Sequence, residues 1–341
     1  MLTVLALGAL LSAAAAVAED DDGVMGVWEG KFITQGWESK TLAAKIWGVK
    51  SGMWDGKLTI IENGAPIAEG KITDTSQDKT FAFTGTISLD GEYFVAATAA
   101  EGKMTGELSP GRESKKGTIK PNKKAGARVA FEMQRLHVKP PSLGATPPAG
   151  AKMLFDGANE DAWMTRPEKW ELTGDGAMRV TFPSIATKEE FGSCKLHVEF
   201  RTPYMPGEGV GSQARGNSGV YVEGRYEVQV LDSFGVAPLN NLCGGIYKIA
   251  VPQADATLPP LTWQTYDIEF HAPKFDASGK KTQDAELTAL HNGIVIHDRL
   301  KLPNATPGGV TDVEGPTGPL LLQNHHDSVE YRNIWVQPIP D

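Results

Sequence analysis

Cysteine is nearly absent from this chain, with two in 341 residues, Cys194 and Cys243. Two thiols build no disulfide framework, and neither sits in a metal-ligand spacing, which argues against a stapled scaffold and against a zinc module. A single disulfide and two free buried thiols both stay open. A basic excess is also missing. Lys and Arg number 33 against 42 Asp and Glu, a formal charge of −9. Residues 19–140 hold 17 of each sign, and residues 141–341 hold 16 basic against 25 acidic. Without a basic stripe a protein has little grip on a phosphate backbone or an anionic bilayer, so neither nucleic acid nor a membrane surface is an expected partner. No Gly-rich phosphate loop runs into a helix, and no serine-nucleophile motif is present. Long amphipathic helical periodicity is lacking. One charge-free run stands out, residues 1–18, "MLTVLALGALLSAAAAVA". It is short for a bilayer span. Its ending, Ala16-Val17-Ala18 before "EDDD", predicts a secretory signal cleaved near Ala18, although a positive n-region is missing. An exported protein, periplasmic or extracellular, is expected, with no membrane insertion after cleavage.

What is abundant is turn chemistry. Gly (38), Pro (22) and Trp (8) stand beside 40% hydrophobic and 22% charged residues. That mix suits a globular, turn-rich β protein with a real core, and the length suggests two domains. Over residues 19–138, short alternating runs read as a small antiparallel barrel or sandwich. Four acidic-Gly-Lys triplets, Glu29-Gly30-Lys31, Asp55-Gly56-Lys57, Glu69-Gly70-Lys71 and Glu101-Gly102-Lys103, precede such runs. Each is predicted to be a hairpin turn, where Gly accepts a positive φ. Pro140, Pro141, Pro147 and Pro148 then mark residues 139–150 as an extended Pro-rich linker. Residues 151–341 alternate again without helices, which predicts a second domain of two packed antiparallel sheets, a sandwich or jelly roll. "CKLHVEFRT" puts Leu196, Val198 and Phe200 on one face and His197, Glu199 and Arg201 on the other. His291-Asn292-Gly293 reads as a hairpin turn.

The stretch "NSGVYVEGRYEVQVLD" (residues 217–232) carries the chemistry. Read as a hairpin, it turns Glu227 and Gln229 to one side and Val228 and Val230 to the other. Asp232, five residues from Glu227, faces the same side only if a bulge intervenes. The expectation is a bulge, with Glu227 and Asp232 flanking a cleft across Gln229. Two carboxyls about 5–9 Å apart are what cleavage of a glycosidic bond uses. Glu-x-Gln-x-x-Asp also resembles the Glu-x-Asp-x-x-Glu strand of retaining β-glucanases with a concanavalin-like jelly roll, departing at two of three positions. Beside it stand candidate substrate-binding residues: Glu199 and Arg201 on one strand face, Asn217 before the hairpin, and Tyr247 and Trp263 as stacking rings. Trp163 and Trp170 read as core.

"MLFDG" at 153–157, Trp163, "EFR" at 199–201, "NSGVYV", "YEVQVLD", "GGIYK", "YDIEF", "HNGIVIHD", "GPLLLQNH" and "VEYRNIWV" follow in one order. Taken together they resemble the 3-keto-disaccharide hydrolase domain family, over roughly 151–339. Asn324 and His325-His326 stand where a single Asp-His-Gly is more usual. The resemblance implies a concanavalin A-like double sheet and a saccharide substrate, in some members a 3-ketosugar. A 3-keto group acidifies the C2–H, so a base removes that proton and the C1 substituent leaves; water addition completes hydrolysis. For that route Glu227 is assigned as base, His325 as acid or base, and Arg201 or Arg332 as electrostatic partner. A divalent metal held by His325 with Glu199, Glu227 or Asp232 is an open alternative. A carbohydrate-binding protein without turnover, and a conventional retaining glycosidase, are the rival readings.

Overall fold

The computed structural model describes residues 23–50, 53–75, 81–114, 118–122, 127–164 and 170–340. The predicted signal segment lies outside them. No helix occurs among the described residues; turns and strands account for all regular structure. The chain divides into two compact units, Met1–Lys139 and Pro140–Asp341.

The first unit contains β1 (Gly26–Phe32), β2 (Lys40–Lys50), β3 (Met53–Glu62), β4 (Ala65–Asp74), β5 (Phe81–Ser88), β6 (Glu92–Ala100), β7 (Lys103–Glu113), a short β8 (Ile119–Pro121) and β9 (Val129–Leu136). Neighbours pair antiparallel from β1 to β7, and β9 pairs with both β7 and β1, closing an eight-stranded barrel with β8 as an appendage. Closure removes the exposed strand edges that would otherwise template aggregation. The interior is filled by side chains, among them Trp28, Trp54, Phe83 and Phe131, all fully buried. Of the four acidic-Gly pairs predicted as turns, only Glu101-Gly102 is one, at φ 50 and 72°. Gly30, Gly56 and Gly70 lie inside strands. A Cβ at Gly30 would fall 2.2 Å from the Glu132 carbonyl, and one at Gly70 would fall 2.2 Å from the Thr86 carbonyl. These glycines serve close strand approach in a tightly coiled barrel. The β3–β4 turn is made by Asn63-Gly64 instead.

The second unit contains β10 (Lys152–Phe155), β11 (Trp163–Met164), β12 (Glu171–Leu172), β13 (Met178–Arg179), β14 (Ile185–Phe191), β15 (Cys194–Arg201), β16 (Ser218–Val222), β17 (Tyr226–Val230), β18 (Gln264–His271), β19 (Lys274–Phe275), β20 (Lys281–Gln283), β21 (Ala285–His291), β22 (Ile294–Leu302), β23 (Gly318–Leu322) and β24 (Glu330–Pro338). One sheet runs β12-β13-β24-β15-β18-β21-β22, with β10 also on β24; the other runs β11-β14-β23-β16-β17. Their inner faces share one apolar core. Leu196, Val198 and Phe200 of β15 join Val220 and Val222 of β16, Val228 and Val230 of β17, and both Trp163 and Trp170. This is the two-layer arrangement expected for alternating strands. Cys194 and Cys243 are free and buried within it. The β21–β22 turn is Asn292-Gly293, both at positive φ. His291 is not part of the turn loop; it ends β21, fully buried, with Nε2 2.9 Å from Gln264 Oε1.

The Pro-rich segment is docked on the second unit. Ser142 Oγ donates to Asp267 Oδ2 and lies 2.9 Å from Thr265 Oγ1, and the Gly144 N–H donates to Glu199. Asn333 and Gln337 donate to the carbonyls of Ala145 and Ala149. Outward polar side chains of the larger sheet thus satisfy a backbone that prolines keep out of any ladder.

Candidate functional site

The floor of the candidate site is the outer face of the β16–β17 hairpin. The turn keeps Glu223 and Gly224 at φ 52 and 62°, and Arg225 completes it, its N–H bonding the Val222 carbonyl at 3.1 Å. A three-residue loop sets the register Val222↔Tyr226, Tyr221↔Glu227, Val220↔Val228 and Gly219↔Gln229. Valines therefore meet in the core, and Glu227, Gln229, Tyr221 and Gly219 meet outside it. β17 is an edge strand, and its edge is covered. The Glu227 N–H donates to Thr306 Oγ1 at 2.9 Å, the Gln229 N–H donates to the Gly245 carbonyl at 3.0 Å, and the Gly244 N–H donates to the Gln229 carbonyl at 2.9 Å.

The Glu227 carboxyl lies over Gly219: a Cβ there would stand 2.4 Å from Glu227 Oε1. Tyr221 flanks it. The Tyr221 hydroxyl donates to the Pro307 carbonyl at 3.0 Å and accepts from Gln323 Nε2 at 3.0 Å. Glu227 is only 3% exposed. Burial pushes its carboxyl up to about 8, against the opposing pull of the Tyr221 hydrogen bond. A carboxyl so placed holds its proton at neutral pH, so Glu227 suits the role of acid better than the role of base assigned from sequence. Gly219→Ala is expected to fold and to cost at least tenfold in activity, because the new methyl displaces the carboxyl; full activity in that variant would show that the carboxyl position is unimportant.

Gln229 and Asn217 adjoin it, joined by Gln229 Nε2 donating to Asn217 Oδ1 at 2.8 Å. The Asn217 N–H donates to Asp327 Oδ2 at 2.7 Å, which brings the 323–327 segment alongside. His325 and His326 are exposed on that segment, ring centroids 6.3 Å apart. Tyr247 is half-buried, two residues beyond the Gly245 that pairs with the edge of β17 at Gln229. So Glu227, Gln229 and Asn217 share one face, and the segment that carries His325 is tied to the Asn217 backbone through Asp327.

Asp232 does not join them as expected. The strand ends at Val230, and Val230 and Leu231 both enter the core, so alternation does break here. Asp232 is then taken into a buried ion pair, its Oδ2 accepting from Arg215 Nε at 2.7 Å, with both side chains 1% exposed. Burial raises the Asp232 carboxyl, opposed by the charge and hydrogen bond of Arg215. A carboxyl locked to a guanidinium is not available as a glucanase-type partner for Glu227.

Glu199, Arg201, Trp263 and Arg332 assemble on the opposite outer face. Leu196, Val198 and Phe200 point into the core, so Glu199 and Arg201 point away from it, with the whole core between them and Glu227. Glu199 Oε2 accepts from Arg332 Nε at 2.7 Å, and Arg201 pairs with Glu330 and, at 2.9 Å, with Asp175. Both guanidinium carbons lie near the Trp263 ring, at 4.6 Å for Arg201 and 4.0 Å for Arg332. His197, fully buried and stacked on Trp335, sets Nδ1 2.6 Å from Asp267 Oδ1. Glu199 and Asp267 hold the Pro-rich segment, and Arg201, Arg332 and Trp263 pack beside them, none of them lining the Glu227 face. Of the side chains named for a metal, Glu199 and Asp232 stand away from Glu227, and no group of three or more His, Cys, Asp or Glu that could hold one is assembled among the described residues.

Burial would raise Glu199, but hydrogen bonds from His197, Asn333, Gly144 and Arg332 bring it down to about 2. Burial would lower His197, but Asp267 and Glu199 raise it. A lowered carboxyl contributes stability that is present above its unfolded value near 4.5 and is lost as pH falls through about 2. A raised imidazole contributes stability that is complete below its unfolded value near 6.5 and is lost as pH rises through the folded one. Glu199→Gln is expected to lose roughly 3 kcal/mol at pH 5–6 and much less below pH 2, read from denaturant unfolding across pH; a pH-independent loss would refute the ionic clasp.

A cavity of about 430 Å³ opens elsewhere on this unit, lined by Lys152, Asp156, Lys188 and Glu189 among others, and holds none of these groups. The partners that sequence reading missed are Tyr221, Gly219, Gln323 and Arg215. The first two are evident once the hairpin register is known; nothing local marks the other two.

A family model described as the 3-keto-alpha-glucoside-1,2-lyase-like domain matches residues 150–337. Among solved structures, a Parabacteroides distasonis protein assigned as a glycosyl hydrolase is 32% identical, with a TM-score of 0.50, over 57% of this chain and 86% of that one. Two more from that organism, assigned likewise, match more weakly, at 24% identity (TM-score 0.41, 55% and 99% covered) and 16% identity (TM-score 0.42, 56% and 95% covered). No curated protein matches the chain.

Proposed function

The chain belongs to the 3-keto-alpha-glucoside-1,2-lyase-like domain family, and on that premise we propose that its second unit cleaves a 3-keto-glycoside by elimination and then hydration. The observation that carries this reading is the Glu227 carboxyl, shielded from water, raised to about 8 and laid beside the Tyr221 hydroxyl on an outer sheet face. A retaining glycosidase needs a second, ionised carboxylate close by. Asp232 is committed to Arg215, so an elimination that needs one acid and one base suits the arrangement better.

In this mechanism a base takes the C2 proton, whose acidity comes from the adjacent C3 ketone. The electron pair forms the C1–C2 double bond as the C1–O bond breaks. Glu227 gives its proton to the departing oxygen, releasing the alcohol. Water then adds its hydroxyl to C1 and a proton to C2, yielding the free 3-ketosugar. His325 is the base, since it stands on the segment beside Asn217 and projects to solvent. Asn217 and Gln229 bond sugar hydroxyls, and Tyr247 packs on the ring.

Turnover of a 3-keto-glucoside beside its unoxidised parent tests this. Only the ketone should react, and in D₂O the released sugar should carry deuterium at C2. Cleavage of the parent glycoside, or product without C2 label, would refute the route; saturable binding without turnover would favour the carbohydrate-binding alternative.

A further inference from the structure

We propose that Gln323 is a specificity-determining residue of the Glu227 face. With Gln229 it presents amide oxygens that accept from two hydroxyls of the sugar, so the face selects a pyranose whose hydroxyls there are free, neither esterified nor etherified. This rests on the reading of that face as a saccharide site.

Gln323 follows β23 and is tied, through backbone and side chain, to the residues beneath Glu227. Its N–H donates to the Gly219 carbonyl at 2.9 Å, and its Nε2 donates to the Tyr221 hydroxyl at 3.0 Å. Gly219 is the residue over which the Glu227 carboxyl lies, and Tyr221 is the cross-strand partner of Glu227. Leu320 and Leu322 enter the core, so alternation turns Gln323 to the outer face.

Two chains of hydrogen bonds fix which end of each amide points outward. The Pro307 carbonyl can only accept, so the Tyr221 hydroxyl spends its proton there, at 3.0 Å. The same hydroxyl then accepts from Gln323, which turns the Gln323 NH2 inward and its Oε1 away. In the second chain Asn217 Nδ2 donates to the Gln213 carbonyl at 2.7 Å, leaving Asn217 Oδ1 to accept from Gln229 Nε2 at 2.8 Å. Gln229 Nε2 also faces the Val230 carbonyl at 3.4 Å. Each chain starts on a backbone carbonyl and ends on a side-chain oxygen.

Those two oxygens set the pair apart. Other buried amides of the second unit satisfy their oxygens inside the protein: Asn217 through Gln229, Gln264 through the Leu258 N–H at 2.9 Å, and Asn292 through the Thr265 N–H at 2.9 Å. Among the described residues neither Gln229 Oε1 nor Gln323 Oε1 has a donor, and neither is sealed from water, so both are open to a ligand. An acceptor left open at the end of an otherwise satisfied network suits a donor that the ligand brings. β17 and β23 flank β16, which sets the two backbones about 10 Å apart, near the width of one pyranose with a hydroxyl on each side. Glu227 is then the donor of the face, and the two amides are its acceptors.

The test uses phenyl glucoside and its 2-, 4- and 6-deoxy and deoxyfluoro analogues on the full-length protein. Each is offered as the 3-ketone, read by KM, and unoxidised, read by calorimetric Kd. Fluorine keeps a weak acceptor but has no proton, so it separates a face that reads donors from one that reads acceptors. Wild type is expected to lose about fivefold in affinity at two positions, one neutral hydrogen bond each, equally for deoxy and deoxyfluoro. Gln323→Met, of similar shape and without the amide oxygen, should abolish the loss at one position and leave the other. Gln323→Glu, which keeps an oxygen there, should retain both. Melting temperatures check that the variants fold, and the fluorine comparison in wild type decides the direction without them. Equal affinity across the wild-type series, recovery of affinity by fluorine, or a full set of losses in Gln323→Met overturns the proposal. If no ketone turns over but the unoxidised series binds with Gln323-dependent losses, the elimination mechanism falls and the hydroxyl reading stands. If the ketones turn over with equal KM, the mechanism stands and the hydroxyl reading falls.

Discussion

Glu227→Gln is expected to abolish turnover while making the protein more stable at neutral pH. The two effects share one cause. Removing a positioned general acid typically costs 10²–10⁴-fold, and Gln, which cannot release a proton, fills the same space over Gly219. The stability change comes from linkage. The carboxyl stands at about 8 in the folded protein against 4.5 unfolded, so between those values the unfolded chain gives up a proton that the folded one keeps. Stability contributed by this group is therefore full below 4.5 and falls as pH rises toward 8. At pH 7 the deficit is roughly 3 kcal/mol, and Gln removes it. Unfolding in denaturant at pH 4 and pH 7 measures this: the variant should gain at pH 7 and gain little at pH 4. In wild type, kcat should decline above about pH 8 as the acid loses its proton. A variant that keeps turnover, or that is destabilised at both pH values, would remove Glu227 from the mechanism. Stability given up at a functional side chain is a common trade.

The second large effect concerns Asp232, which the sequence cast as a cleft carboxyl, and its partner Arg215. Arg215→Ala is expected to cost about 3–5 kcal/mol, because it strands the Asp232 carboxylate in the interior. For a unit of this size that corresponds to a melting-temperature drop of roughly 10 °C. Arg215 also donates to the Glu208 carbonyl at 2.8 Å, so its loss frees the loop leading into β16. Asp232→Asn should be destabilising too. The double variant Arg215→Met with Asp232→Leu should lose less than the sum of the two single losses, since no charge is then left alone. If Asp232→Asn instead keeps its melting temperature and loses only turnover, Asp232 is a catalytic acid and the ion pair is incidental.

These two carboxyls show where sequence reading stops. Both lie in the seven residues "YEVQVLD". Glu227 could be read correctly as outward-facing, because alternation on a strand is a local property fixed by the pleat. A break after Gln229 was also legible, and it occurs, with Val230 and Leu231 both turning inward. What the break does to Asp232 was not legible. Its partner is 17 residues away, in a loop whose course is set by packing, so no local signal announced the pair. Glu199 and Arg201 teach the same lesson. Their shared face was evident from "CKLHVEFRT", but that face proved to be the far side of the sandwich, where Glu199 holds the segment read as an extended linker. The acidic-Gly pairs failed for a related reason. Gly serves both turns and close strand approach, and only barrel closure decided that Gly30, Gly56 and Gly70 do the latter.

By itself the sequence determined the all-β class, the two alternating regions, the core faces of β15 and β17 and, through the order of its motifs, the family of the second unit. These rest on residue type and spacing, which local sterics and hydrophobic burial translate directly into structure. Only the tertiary structure decided which polar residues stand together. A side chain's face is a two-valued local choice, but its neighbours across sheets and loops depend on how the layers stack and where the connections run. That long-range arrangement gave Glu227 its shelter, gave Asp232 to Arg215, and put the arginines and Trp263 behind the core.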